Sequence, residues 1–459
     1  MSCLATCGTG WGDTGRPPSA RRGRRHGLGL QRLLGPVAQQ GRRPPARELR
    51  LLHQQVALHP HSAWGVYVTN LYTLQGDLFR LDYSDGTPSV TFTNYNRAGQ
   101  PRTVIDATGQ RTLVYDHAGR LVAETWVTGL LAGITITHHY NTVGQRDLLK
   151  VTGPSPTIQH DFAYDAFGRL ASVAAGNVVA EYGYLAGSDR LQSTVFKHDG
   201  APVLTTSRGW EYGQRLQFIL NAVNGITVSA HHYLYDAVQR RTQATLADGS
   251  RWRYQYNDRD EVVSGKRFWV DWTPVAGQQF EYAYDNIGNR LVASSGGDAH
   301  GANLRSVGYT ANALNQYTTI TNPPYAPIVG VALATNSVAV CGSSNGVSRW
   351  GEYFHREITV TNAGGPVWTG VTVDSGGSST NGGLVCPAAQ QTLSYDADAN
   401  LTGDGIWAYR WDGENRLVQM SMTNIAYLPA VQRKKLEFVY DFQGRRVQKV
   451  VWTWNGSAF

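Results

Sequence analysis

The chain lacks most of the features by which an active site announces itself. No Walker loop or His-Glu-x-x-His pair occurs in its 459 residues. The glycine-rich runs GDGIW and SGGSSTNGG do not bridge a strand to a helical stretch, so neither builds a phosphate cradle. Cysteine is sparse, with four in all. Cys3 and Cys7 have no companion ligand set, which argues against zinc. Apolar runs long enough for a membrane-spanning helix or a signal-peptide core are also missing. These absences predict no catalytic residue, no cofactor, no metal and no membrane span.

Charge is scarce too, at 16% of residues, and the formal net charge of +7 is local in origin. Arginines crowd the segment from Arg16 to Arg50, where Glu48 is the one acid. That stretch is rich in Pro and Gly and shows little strand alternation. Residues 1–63 are therefore expected to be disordered, or to lie upstream of the true start. A basic arm for nucleic acid is the functional alternative; composition favours the plain tail, and no nucleic-acid partner is expected.

What the chain has in abundance is glycine and aromatic residues, with 51 Gly, 24 Tyr and 13 Trp. They recur in one phrase. YDHAGRL starts at Tyr115, YDAFGRL at Tyr164, YDAVQRR at Tyr235, YDNIGNR at Tyr284, YDADANL at Tyr395 and YDFQGRR at Tyr440. A catalytic motif is needed once, so repetition points to structure. Asp favours the first position of a type I turn, and Gly accepts the left-handed position that closes a three-residue hairpin loop. The phrase thus predicts hairpin tips at Asp116–Gly119, Asp165–Gly168 and Asp441–Gly444, with further turns after Asp236, Asp285 and Asp396. Within the Tyr164 copy, Asp165 should face Arg169 as an exposed ion pair, and Tyr164 should face Leu170.

Looser copies begin at Tyr95, Tyr140, Tyr184, Trp210, Tyr256, Tyr309 and Trp411, mostly about 20 to 29 residues apart. That length is two strands and two turns. One such hairpin buries too little apolar surface to stand alone, so neighbours must join into one long coiling sheet. The adjacent pairs His138-His139 and His231-His232 fall on strands within this register. Consecutive strand positions face opposite ways, which makes them repeat elements and poor metal ligands.

Between Tyr309 and Tyr395 the spacing jumps to 86 residues. Residues 322–391 read as a small antiparallel β module inserted at a hairpin tip of a strip that spans 64–321 and 392–459. Its aromatics Tyr353, Phe354 and Trp368 are expected to fill its core, the alternative being an exposed binding surface. Cys341 and Cys386 lie near its two ends. They fit equally a disulfide and two buried thiols.

These phrases, with SYDADANLTGDGIWAYRWDGENRLVQM from Ser394 to Met420, resemble the RHS/YD-repeat proteins, which include bacterial Rhs toxins, the shell-forming subunits of Tc toxins and the teneurins. The likeness runs from about Trp64 to the C-terminus. It implies an all-β fold of antiparallel hairpins in a spiralling sheet, here a partial shell. It also implies a non-enzymatic, secreted or cell-surface scaffold that encloses or presents a toxin or effector polypeptide. Family members usually continue into further repeats, a self-cleaving core and a toxin. The chain is therefore expected to be part of a larger protein and to self-associate through an open edge bearing Val450, Val451 and Trp452. The alternative is a surface module that binds glycans or another extracellular partner through ladders of Tyr and Trp.

Overall fold

The computed structural model describes residues 66–212 and 214–459, together with the backbone of two short strands at Cys3–Ala5 and His59–Pro60. The expectation for residues 1–63, Cys7 included, otherwise lies outside the described residues. The fold is all-β, with 58% strand and 2% helix. Its main body is an antiparallel sheet of 23 strands. The strands run in chain order from Tyr67–Tyr72 to Tyr317–Thr321, each bonded to its predecessor, and the strand Gln390–Thr392 is added last. None of the described pairings joins the first of these strands to the last, so the sheet is an open strip. Six further strands continue it from Ser394–Tyr395 to Arg446–Thr453.

The strip has two rims. One carries the repeat turns. At Tyr164 the turn forms as the phrase requires: Gly168 N–H donates to Asp165 O at 2.9 Å, Asp165 N–H to Arg169 O at 2.8 Å, and Tyr164 faces Leu170. Gly119, Gly168 and Gly444 sit at φ of 78°, 79° and 74°, a region that costs glycine little. The opposite rim carries the return turns. Among them is Asn224-Gly225, both left-handed, which joins paired residues Val223 and Ile226.

One repeat copy takes a register other than the sequence spacing predicts. Tyr309 lies two residues before its hairpin's aromatic position, which Ala311 occupies, and the turn is closed by Asn312 with Gln316. In that hairpin the ring sits on the second strand instead, as Tyr317.

The sheet is a single layer. Side chains on the face that carries the repeat tyrosines, such as Phe162, Tyr182, Tyr233, Tyr254 and Tyr282, are half-buried by their neighbours within the sheet. Deep burial in the strip is concentrated where other elements meet it.

The segment between Thr321 and Gln390 leaves the return-turn rim from two directly paired residues. It folds into two small sheets. One pairs Tyr353–Thr359 with Tyr325–Val331 and Ser348–Trp350; the other pairs Val367–Ser375 with Val338–Val340 and Ser378–Cys386. Ile328, Val340, Phe354, Val373 and Leu384 form its core. The disulfide alternative does not fit. Cys341 lies beside Thr372 and Cys386 is paired with Val367 on the other side of the same strand. Five positions of strand, roughly 17 Å at ~3.3 Å per residue, separate them along that direction. A disulfide tolerates a Cα separation of only about 7 Å, so Cys341 and Cys386 do not bond to each other.

Candidate functional site

Successive hairpins are tied by a ladder that runs through the repeat positions. Each ring reaches back to the carbonyl of the residue that faces the ring of the hairpin before. Tyr140 Oη donates to Leu121 O at 3.2 Å, Tyr164 Oη to Arg146 O at 2.8 Å, Tyr235 Oη to Leu216 O at 2.7 Å and Tyr440 Oη to Leu417 O at 2.9 Å. Tyr115 and Tyr284 follow the same rule, bonding Pro101 O and Val262 O. Trp210 and Trp411 follow it too, with indole Nε1–H as donor to Leu191 O and Leu401 O. Tyr395 Oη donates to Tyr317 O at 3.0 Å, so the ladder continues across the inserted segment.

The Asp and Arg of the phrase lock the turn and then the next hairpin. Asp165 Oδ1 accepts from the N–H groups of Phe167 and Arg169, and its Oδ2 from Arg169 Nε at 2.8 Å. Burial alone would raise the Asp165 carboxyl, but these donors outweigh it and hold it below the usual carboxylate range. Asp116, Asp236 and Asp285 are lowered in the same way. Asp396 makes the same turn contacts with Asp398 and Asn400. The Arg169 guanidinium lies 4.2 Å from the ring centre of Tyr184, one hairpin on. Arg120 over Tyr140 and Arg240 over Tyr256 repeat this. The expected exposed ion pair is thus partly covered, with Asp165 and Arg169 side chains 23% and 22% exposed.

Arg445, in the hairpin of Lys434–Tyr440 and Arg446–Thr453, reaches the start of the strip in place of a following ring. Asp441 and Arg445 meet a buried cluster 330 positions upstream. Arg111 Nη1 donates to Glu124 Oε1 at 2.7 Å and to Asp441 Oδ2 at 3.2 Å, and Nη2 contacts Asp106. Arg445 binds both oxygens of Glu124, at 2.8 and 3.1 Å, and lies 5.8 Å from the ring centre of Trp126. Trp126 and Glu124 therefore take the place that the next repeat would fill. Phe442, at the turn tip, packs edge-on against Phe92 and donates its N–H to Asp106 Oδ2 at 2.9 Å. One hairpin earlier, Gly413 N–H donates to Thr87 Oγ1 at 2.7 Å and Glu414 accepts from Tyr83 Oη. Repeat turns of the strip's end thus dock on return turns of its beginning. Burial pushes the Asp441 carboxyl up, but hydrogen bonds from Arg445 and Arg111 prevail and its pKa is lowered.

The inserted segment docks on the same rim. Tyr353 Oη donates to Ala276 O at 2.6 Å, and Trp350 stacks on Trp269 with centres 5.4 Å apart at 8°. Buried His355 lies against Gly277, where an added Cβ would be 2.4 Å from its ring. Arg305 pairs with Glu357 at 2.8 Å. Burial pushes the Tyr353 hydroxyl up to about 12 and the His355 imidazole down. Of the three aromatics singled out in the sequence, Phe354 is in the core, Tyr353 faces the strip and Trp368 crosses Gly383 of the neighbouring strand. The histidine pairs fall on strands as read: His139 binds Asp147 at 2.6 Å, while its neighbour His138 faces the other way and is half-buried.

Ladder, turn locks and seam define the class: a hairpin-repeat scaffold built for continuity of the sheet. The RHS Repeat family model matches residues 95–125, the hairpin unit that contains Tyr95 and Tyr115. That hairpin unit is an RHS repeat, and its phrase recurs along the strip. No curated protein matches it. Crystal structures of TcdB2-TccC3-Cdc42 and of TcdB2-TccC3 align over 85% of the chain, with 12% and 11% identity and TM-scores of 0.33 and 0.34. A TcdB2-TccC3 structure without its hypervariable C-terminal region aligns over 86%, at 12% identity and a TM-score of 0.33. The chain spans 24% of the length of each.

Proposed function

We propose that the chain is a non-enzymatic wall segment of an RHS-type shell, secreted or displayed at a cell surface, which encloses or presents a toxin or effector polypeptide. The seam carries this reading. A continuous sheet whose last hairpin locks onto its first strands must bend around a space, and the half-buried aromatic face of a single layer suits contact with a chain held there. Residues 322–391 serve as an accessory module carried on the rim, where an excursion between two paired strands leaves the register intact.

The test is protection. An unstructured, protease-sensitive segment fused after Phe459 should be cut more slowly than the same segment on an unrelated carrier, and Arg111→Ala should restore fast cutting. Equal rates on both carriers would refute enclosure.

A further inference from the structure

The two faces of the strip differ in charge. On the strands between Thr135 and Thr321, Asp147, Asp161, Glu181 and Glu281 all lie on the face opposite the repeat rings. Glu211 closes its own turn against Arg215. The ring-bearing face of those strands holds no carboxylate. It does hold arginines. Arg267 and Arg305 are paired with Asp248 and Glu357, from a turn and from the inserted segment. Among the described residues Arg146, Arg208, Arg241 and Arg290 form no ion pair.

Three of these four occupy one register position. Arg146, Arg241 and Arg290 face Tyr140, Tyr235 and Tyr284, where Leu121, Leu170 and Leu216 stand in other hairpins. Replacing leucine by arginine there swings a guanidinium over a ring on the same face: Arg146 over Phe162 at 5.0 Å, Arg241 over Tyr233 at 3.8 Å and Arg290 over Tyr282 at 5.2 Å. Arg208 donates to Thr194 Oγ1 at 3.1 Å. Nε of Arg241 and of Arg290 is buried without a hydrogen-bond partner among the described residues. A stacked guanidinium keeps an outward edge of N–H donors whose geometry matches a carboxylate.

The geometry points to an acidic polypeptide segment as the occupant of this face, its Asp and Glu side chains received by Arg146, Arg208, Arg241 and Arg290 and its apolar side chains by the intervening rings. The inference rests on the enclosure reading and adds the chemistry of what is enclosed. A single-stranded nucleic acid also uses arginine and aromatic surfaces, but it needs a positive groove that follows every phosphate. Here Arg208, Arg241 and Arg290 are three and four strands apart, roughly 14 and 19 Å at ~4.8 Å per strand, with no lysine between them on this face.

The experiment uses the full chain and fluorescent 20-residue peptides that alternate Tyr or Leu with Glu, with Ser or with Lys, plus an oligothymidylate of similar length. The Glu peptide should bind best, weaken with added salt, and lose about a hundredfold in affinity in the Arg241→Gln/Arg290→Gln variant, each lost charged bond being worth roughly a factor of ten. Retained near-ultraviolet circular dichroism would show that the variant's packing survives. Equal binding of Ser and Glu peptides, tighter binding of oligothymidylate, or no loss in the variant would overturn the inference. Protease protection of the fused segment with charge-indifferent peptide binding would overturn it while leaving enclosure standing.

Discussion

Arg111 and Asp441 stand 330 positions apart, yet their side chains meet at 3.2 Å with none of either surface exposed to solvent. This contact converts a row of local hairpins into an object with a beginning held to its end. Buried ion pairs are weak contributors to net stability but strong determinants of register, because a mismatched partner leaves a charge unpaired in a dry site. Arg111→Ala should therefore cost about 3–5 kcal/mol in the seam. Hydrogen exchange should lose protection at Tyr440–Arg446 and around Asp106–Trp126, while the hairpins between Tyr164 and Tyr284 keep theirs. Uniform loss along the strip would show that the seam is no separate cooperative unit. Because the Asp441 carboxyl is lowered from 3.8, its contribution is present above that pH and disappears as pH falls through the lowered value.

The ladder makes a second prediction, on the identity of the ring. Trp210→Phe should cost about 0.5–1.5 kcal/mol, since Leu191 O loses its donor. Trp210→Tyr should recover most of this, because the phenol can supply the same bond from the position that tyrosine fills in neighbouring hairpins. Denaturant melts of the two variants decide it. If Phe and Tyr behave alike, the ring matters for packing alone.

Much of this was legible in the chain. Asp165 and Gly168 set a turn through short-range geometry, and the alternation around Tyr164 set the face, so the hairpins follow from local rules. The ladder left a signal that was not read: the aromatic position holds Tyr or Trp in nearly every copy and Phe in none, which means a donor is required. The error at Tyr309 has the same origin. Asn312 is a weaker turn marker than Asp, and the ring of that hairpin had moved to Tyr317. The seam could not be read, since Asp441 and Arg445 carry the same phrase as Asp165 and Arg169. Only the end of the strip gives them different partners, and nothing in spacing says where a coiling sheet returns. The cysteines misled by proximity to the segment ends, because Cys341 and Cys386 flank one strand on opposite sides and at different heights.

His355 gives the docking of the inserted segment a pH dependence. Its imidazole is buried, and burial lowers its pKa from 6.5, against the raising influence of Glu357 and Asp298. Above pH 6.5 the group is neutral folded or unfolded and contributes no slope. Below it, the unfolded chain takes up a proton that the folded chain refuses, so stability falls until the folded imidazole itself titrates. Tryptophan fluorescence from the Trp269 and Trp350 stack should report loosening between pH 6.5 and the lowered value. His355→Gln should flatten that profile. A profile unchanged by the substitution would assign the transition to other groups.

Gly277 tests the same junction without charge. It sits at φ 79°, and a Cβ there would be 2.4 Å from Cδ2 of His355. Gly277→Ala should strain the backbone by about 1–2 kcal/mol and push the ring out of its contact. The expected result is undocking of the inserted segment, read as faster proteolysis near Trp350, with the strip's far-ultraviolet spectrum preserved. Collapse of the whole spectrum would mean that the segment is integral to the sheet and not carried on it.

Among the described residues the strand Arg446–Thr453 is bonded to Lys434–Tyr440 alone, and Val451 and Trp452 remain 51% and 42% exposed. Its outer row of N–H and C=O groups can accept another strand, and apolar side chains beside an open edge favour that addition. The full chain should therefore associate as its concentration rises. Charge at the edge opposes strand addition, so Val451→Lys should shift association to higher concentration. Val451 faces Leu436, and the exposure of its side chain leaves room for lysine to reach solvent. The seam lies at the turns, away from this position, so its hydrogen-exchange protection should persist in the variant. Light scattering across a dilution series separates the outcomes. Association that is equal in both proteins would place the contact elsewhere, and a monomer at every concentration in the parent would show that the edge is covered.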